Sequence, residues 1–265
     1  MLAIAFYLAA TGLLIRTFGD DYFQATANRR RWWVVGLGAV AAGLHGMTLL
    51  DMCDRAGNVD FSFLSASSLA AWSIVVVFLL TALLRPLDQL GLIIFPLASV
   101  IVLLKIALPE EVHRLKTHAW QMNLHILTSM LAYSFLNIAA LQSLLVAFQD
   151  WSLRSHHTIG FARSLPPLQT MEKLLFQLIG AGFVLLSLSL LTGFVFLEDL
   201  FAQHLAHKTV LSILAWLIFA VVLWGRIRLG WRGQIAIRWT LGGFVALMLA
   251  YFGSKMVLEW ILNKN

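Results

Sequence analysis

Polar and apolar residues do not alternate along this chain at either the strand or the amphipathic-helix period; they separate into long blocks. Eight nearly uncharged apolar blocks stand out: Met1–Thr17, Trp32–Asp51, Leu64–Leu84, Leu90–Leu108, Ala119–Phe148, Leu174–Leu197, Val210–Leu229 and Ile235–Leu262. A helix needs about 17–25 apolar residues to cross a bilayer, and every block but the first exceeds that lower limit. The pattern predicts an all-α, polytopic transmembrane bundle of about eight helices, one integral domain over residues 1–265. The fifth block exceeds a single span, so its helix can continue past the bilayer surface. The longest loop on its far side, Asp150–Lys173, carries the breakers Pro166 and Pro167 and is too short for a soluble module.

Composition agrees: hydrophobic residues make up 60% and charged residues 12%, against about 45–50% and about 25% in soluble domains. The +6 charge is unevenly placed. Arg16, Arg29–Arg31, Arg85, Arg154, Arg163, Lys173, Arg226, Arg228, Arg232 and Arg238 fall on one side of the alternating blocks. Asp51, Asp54, Asp60, Glu110, Glu111, Glu198 and Asp199 fall on the other. By the positive-inside rule the arginine side is cytoplasmic. In a bacterial inner membrane both termini would then be periplasmic. The basic loops suit an anionic leaflet and call for no nucleic acid. Trp32, Trp33, Trp151, Trp231 and Trp239 mark one interface, Trp120 and Trp260 the other. Met1–Thr17 lacks basic residues ahead of its apolar run and is not a convincing signal peptide. Cys53 is alone, which excludes an internal disulfide and a CxxC redox motif.

Two histidines interrupt the apolar blocks. His125 lies about 9 Å below the boundary on the acidic side, at 1.5 Å rise per residue, and His45 lies at a similar depth in the second block. Ionisable groups inside a bilayer face protein or a cavity and mark functional sites. Neutral imidazole is also a common metal ligand, haem iron included. The two rings could bracket one haem iron, or each could simply hydrogen-bond a neighbouring helix. Ser129, Tyr133 and Asn137 follow His125 at four-residue steps and form a polar stripe. Such a stripe can orient a ligand, hold propionates or glue helices. Glycines and other small residues cluster in the second block (Gly36, Gly38, Gly43, Gly46) and the sixth (Gly180, Gly182), permitting close helix approach.

The loop Glu198–Lys208 has the spacing of a short amphipathic surface helix, with His204 and His207 on one face. Zinc there would lack a third strong ligand nearby. His113, His118, His156 and His157 lie in loops. No nucleophile elbow, P-loop, HExxH motif or catalytic carboxylate pair is present, so no enzymatic activity is expected.

The C-terminal half resembles the CcsA/HemX-like cytochrome c assembly family, over about residues 120–255. Leu124-His125-Ile126 and Met130–Ser134 carry part of the likeness. The rest is in Leu174–Gly193, Lys208–Gly233 with its Arg226…Gly230-Trp231…Gly233 punctuation, Gly243-Phe244 and Tyr251–Gly253. The whole chain looks most like that family's small YpjD-type inner-membrane branch. The resemblance implies haem handling, with haem b as the cofactor and His125 as the outer-facing ligand. His45 joins it by depth, and His207 or His204 is a weaker second ligand. The synthases of the family present haem on a tryptophan-rich segment; here that segment is Leu200–Lys208, without tryptophan. Their next histidine aligns with Trp224, and their last outer histidine has no counterpart in Ser254–Asn265. A complete cytochrome c synthase is therefore not expected. The expectation is a non-enzymatic haem-binding or haem-handling membrane protein whose partners are the bilayer, haem and another inner-membrane protein. The alternatives are a non-haem scaffold or regulatory partner, or a small-solute or ion permease.

Overall fold

The computed structural model describes residues 1–19, 24–50, 58–60, 62–85, 87–108, 114–116, 120–155, 160–196 and 206–253. Its long helices are α1 (Leu2–Gly19), α2 (Gln24–Leu50), α3 (Phe63–Leu84), α4 (Gly91–Ala107) and α5 (Trp120–Arg154). After the four-residue α6 (Gly160–Arg163) come α7 (Leu168–Phe196), α8 (Ala206–Leu229) and α9 (Gly233–Met248). Among the described residues seven segments are long and apolar enough to cross a membrane, and Leu2–Arg16 is a shorter apolar helix. The protein is thus an all-α, multi-pass membrane protein. At 35 residues α5 is about 52 Å long, well beyond a hydrocarbon core of about 30 Å. The last block is helical to Met248 and then widens into a π-turn, Leu249–Gly253.

The sequence pattern does not foretell the one piece of sheet among the described residues. Asn58–Asp60 (β1) pairs antiparallel with Arg114–Lys116 (β2), Val59 opposite Leu115. These strands lie in the loops after α2 and α4, so both loops meet at one end of the bundle. At the other end Arg31, near the start of α2, donates to the carbonyls of Ala82 and Arg85 where α3 finishes. Its Nε lies 3.3 Å from Asp88 Oδ1, in the 3-10 turn leading into α4. The strand pair and the Arg31 cluster fix the alternating directions of α2, α3 and α4.

The chain forms two compact units. One comprises Met1–Lys116 with Ser152–Pro166, the other Thr117–Trp151 with Pro167–Asn265. The core of the first centres on Phe95 of α4, which stacks on Tyr7 (5.8 Å between centroids) and meets Phe78 edge-on (5.5 Å). Gly38 makes room for it: a methyl group there would come within 2.8 Å of the Phe95 ring. In the second unit Gly182 admits Leu136 of α5 and Gly243 admits Phe219 of α8. At the α8–α9 turn Arg226 donates to the Trp231 carbonyl, Glu172 Oε1 accepts from Gly233 N at 2.8 Å, and Trp231 stacks on Trp239. Gly230 and Gly233 take positive φ there (66° and 53°), a conformation that favours glycine. Apolar side chains such as Leu80, Leu97, Leu103, Val184, Leu191 and Val195 are left exposed, as lipid-facing residues must be.

Candidate functional site

His125 sits one and a half turns into α5, half-buried. Its Nδ1 lies 3.0 Å from the Ser189 carbonyl and 3.2 Å from Thr192 Oγ1, both on α7. A main-chain carbonyl can only accept, so Nδ1 carries the proton. In the neutral ring Nε2 therefore holds the lone pair, and among the described residues it has no hydrogen-bond partner. The α5 backbone beneath is tied in as well. Ser129 Oγ donates to the His125 carbonyl at 2.6 Å and lies 2.7 Å from Ser189 Oγ. Thr128 Oγ1 donates to the carbonyls of Leu124 (2.9 Å) and His125 (3.1 Å). Trp120 and Phe196 meet edge-on nearby in the chain, at 5.8 Å.

The stripe that begins at His125 then divides by function. Ser129 serves the histidine. Tyr133 turns away from it: the ring stacks on Tyr251 at 5.0 Å and the hydroxyl donates to Met248 Sδ at 2.7 Å. Tyr251 returns the arrangement, donating to Met130 Sδ at 3.2 Å. This reciprocal pair locks α5 to the π-turn. Asn137 Nδ2 closes back on the Tyr133 carbonyl at 3.2 Å.

His45, in the other unit, is wholly buried at 0% exposure. Tyr7 Oη of α1 lies 3.2 Å from its Nδ1 and Ser68 Oγ of α3 lies 3.0 Å from its Nε2. Both ring nitrogens are occupied, so a metal could be bound only by giving up one of these bonds. Trp72 supports the same region, its Nε1 donating to the Ala42 carbonyl at 2.8 Å. His45 and His125 thus belong to different units, each with its own set of partners. His204 lies outside the described residues, as do residues 198–205 of the expected surface helix. His207 falls in the first turn of α8, and its side chain is outside the description. His113, His118, His156 and His157 lie outside it too. Among the described residues no group of three or more His, Cys, Asp or Glu is placed to hold a metal.

Sequence reasoning missed Tyr7, Ser68, Ser189 and Thr192. The last two stand one helical turn apart in an apolar block, S-x-x-T, which is the signal that could have singled them out as facing protein rather than lipid.

The sequence model of the cytochrome C assembly protein family matches residues 33–262, which takes in both histidines. The chain belongs to the cytochrome c assembly protein family. The match extends the likeness in the C-terminal half back into α2. Among relatives, the Inner membrane protein YpjD of Escherichia coli (strain K12) is 30% identical over 267 residues, 98% of each chain. A Cytochrome c biogenesis protein CcsA of Guillardia theta is 26% identical over 189 residues, 62% of each chain. An uncharacterized 28.8 kDa protein of Azospirillum brasilense is 34% identical over 143 residues, 53% of each. No solved structure matches. Within this cytochrome c assembly protein, His125 is the described histidine whose ring is both fixed in orientation and left with a free nitrogen.

Proposed function

We propose that this protein is an inner-membrane, non-enzymatic haem-handling member of its family that binds haem b non-covalently through His125. One observation carries it: Nδ1–H of His125 is committed to a carbonyl and Nε2 is left with an unshared lone pair. Ligating histidines almost always donate their other N–H to a carbonyl, carboxylate or water, which fixes tautomer and ring orientation. The donor set, one imidazole with its Nδ1–H engaged, would supply a single nitrogen ligand to the haem iron through Nε2. Haem so held would supply an iron centre able to cycle between ferric and ferrous states. His45, with both nitrogens engaged, is a structural residue in this proposal, and His204 and His207 remain the weaker second ligands. The arginine side is cytoplasmic and both termini are periplasmic, which puts His125 in the periplasmic leaflet. Another inner-membrane protein is the proposed recipient or source of haem.

The test is absorption spectroscopy of the full chain purified in detergent, with and without added haemin. A Soret band is expected for the wild type and for His45→Ala, and its loss or displacement for His125→Ala. No band in the wild type, or one indifferent to His125→Ala, would falsify the assignment. Colourless protein that co-purifies with a stoichiometric membrane partner would instead favour a scaffold role, which the lack of tryptophan in Leu200–Lys208 motivates.

A further inference from the structure

The bonds around His125 form a directed set. Thr192 Oγ1 donates its proton to the Ser189 carbonyl at 2.9 Å. Its lone pairs are then free to accept from His125 Nδ1–H at 3.2 Å, while the same N–H reaches the Ser189 carbonyl at 3.0 Å. Ser129 has spent its proton on the His125 carbonyl at 2.6 Å, so across the 2.7 Å gap Ser189 Oγ is the donor and Ser129 Oγ the acceptor. Every proton in the cluster has one assignment. The Ser189 carbonyl is its terminal acceptor, and it is shared between an imidazole N–H and the Thr192 hydroxyl.

That sharing has a chemical consequence. The stronger the acceptor on Nδ1–H, the more electron density the ring holds and the better a donor Nε2 becomes. Thr192 weakens this effect twice. It takes part of the carbonyl's accepting capacity, and it offers Nδ1–H a hydroxyl, a poorer acceptor than a carbonyl.

We infer that Thr192 is a positioning residue for His125: with the Ser189 carbonyl it fixes the Nδ1–H tautomer, and it tempers the basicity of Nε2 toward a bound metal centre. The inference rests on the haem-ligand role proposed for His125, but its first test does not need haem. In the full-length protein labelled with 15N-histidine, without haemin, the His125 signal is identified by its absence in His125→Gln. A single Nδ1-protonated neutral ring is expected. An Nε2-protonated ring, or an even mixture of tautomers, would overturn the clamp whether or not haem binds.

The second test uses the haemin-loaded protein. Thr192→Val removes the hydroxyl and keeps the volume, so that Nδ1–H no longer competes with a side-chain hydroxyl for the Ser189 carbonyl. The ligand becomes more basic, ferric iron is favoured, and the midpoint potential falls. Thr192→Ser restores the wild-type potential. Equal potentials for wild type and Thr192→Val would overturn the tempering role while leaving His125 as a ligand. A wild type that takes up no haemin would instead remove the proposed function and leave the tautomer result to decide the clamp.

Discussion

The His45 imidazole bridges two hydroxyls, from Tyr7 on α1 and Ser68 on α3. It therefore ties three helices through one fully buried ring. Deleting it strands both hydroxyls in an apolar interior and leaves a hole. His45→Ala is expected to cost about 1–3 kcal/mol, the penalty for an unsatisfied buried polar group. Tyr7→Phe removes one bond and should cost nearer 0.6 kcal/mol on average, as polar deletions between membrane helices do. Thermal unfolding in detergent measures both, and a His45→Ala variant as stable as wild type would contradict the bridging role. His125 differs because its partners lie on one side of the ring only, so its loss is expected to change ligand binding more than stability. Sequence placed both histidines inside long apolar blocks. It could not show which had two partners, because Tyr7 is 38 and Ser68 23 residues from His45, and Ser189 is 64 from His125.

Among the helices, the glycines separate those that meet a neighbour from those that do not. Gly182 and Gly180 lie two residues apart on α7. A methyl group on Gly182 would meet Leu136 at 2.7 Å, whereas one on Gly180 would meet nothing within 4 Å. Gly182→Ala is therefore expected to destabilise by about 1–3 kcal/mol through overpacking. Gly180→Ala should be neutral or slightly stabilising, since it adds helix propensity without a clash. Equal melting temperatures for the two variants would show that the α5–α7 contact is looser than described. Gly225 is tighter still: a methyl group there would fall 2.4 Å from the Trp231 indole. Gly225→Ala should expel that ring from its place against α8 and disturb the Arg226–Trp231 bond at the turn, a change visible as a shift in tryptophan emission. The sequence showed clusters of small residues in the second and sixth blocks but not which face each used. A methyl group on Gly38 or Gly46 would meet Phe95 or Trp72, while one on Gly36 or Gly43 would meet nothing within 4 Å among the described residues.

For the whole molecule, the charge asymmetry predicts the side of the membrane on which each loop lies. The Arg31 contacts to Ala82, Arg85 and Asp88 hold the ends of α2, α3 and α4 together, and the β1–β2 pair joins the loops at the opposite end. Alkaline phosphatase fused after Asn265 should be active in the periplasm, and the same enzyme fused after Ser155 should be inactive. The reverse pattern would invert the topology and place His125 in the cytoplasmic leaflet. What the sequence determined by itself was the solvent each segment lives in: block length and the scarcity of charge fix helices and spans, because the bilayer penalises any unpaired backbone or unbalanced charge within it. The β1–β2 pair escaped it, since two three-residue strands carry no periodicity. Tertiary structure decided which nitrogen of which histidine is free. That depends on hydroxyls and a carbonyl delivered from distant helices, whose rotation about their own axes is set by packing at residues such as Gly38 and Gly182 and by nothing local in the chain.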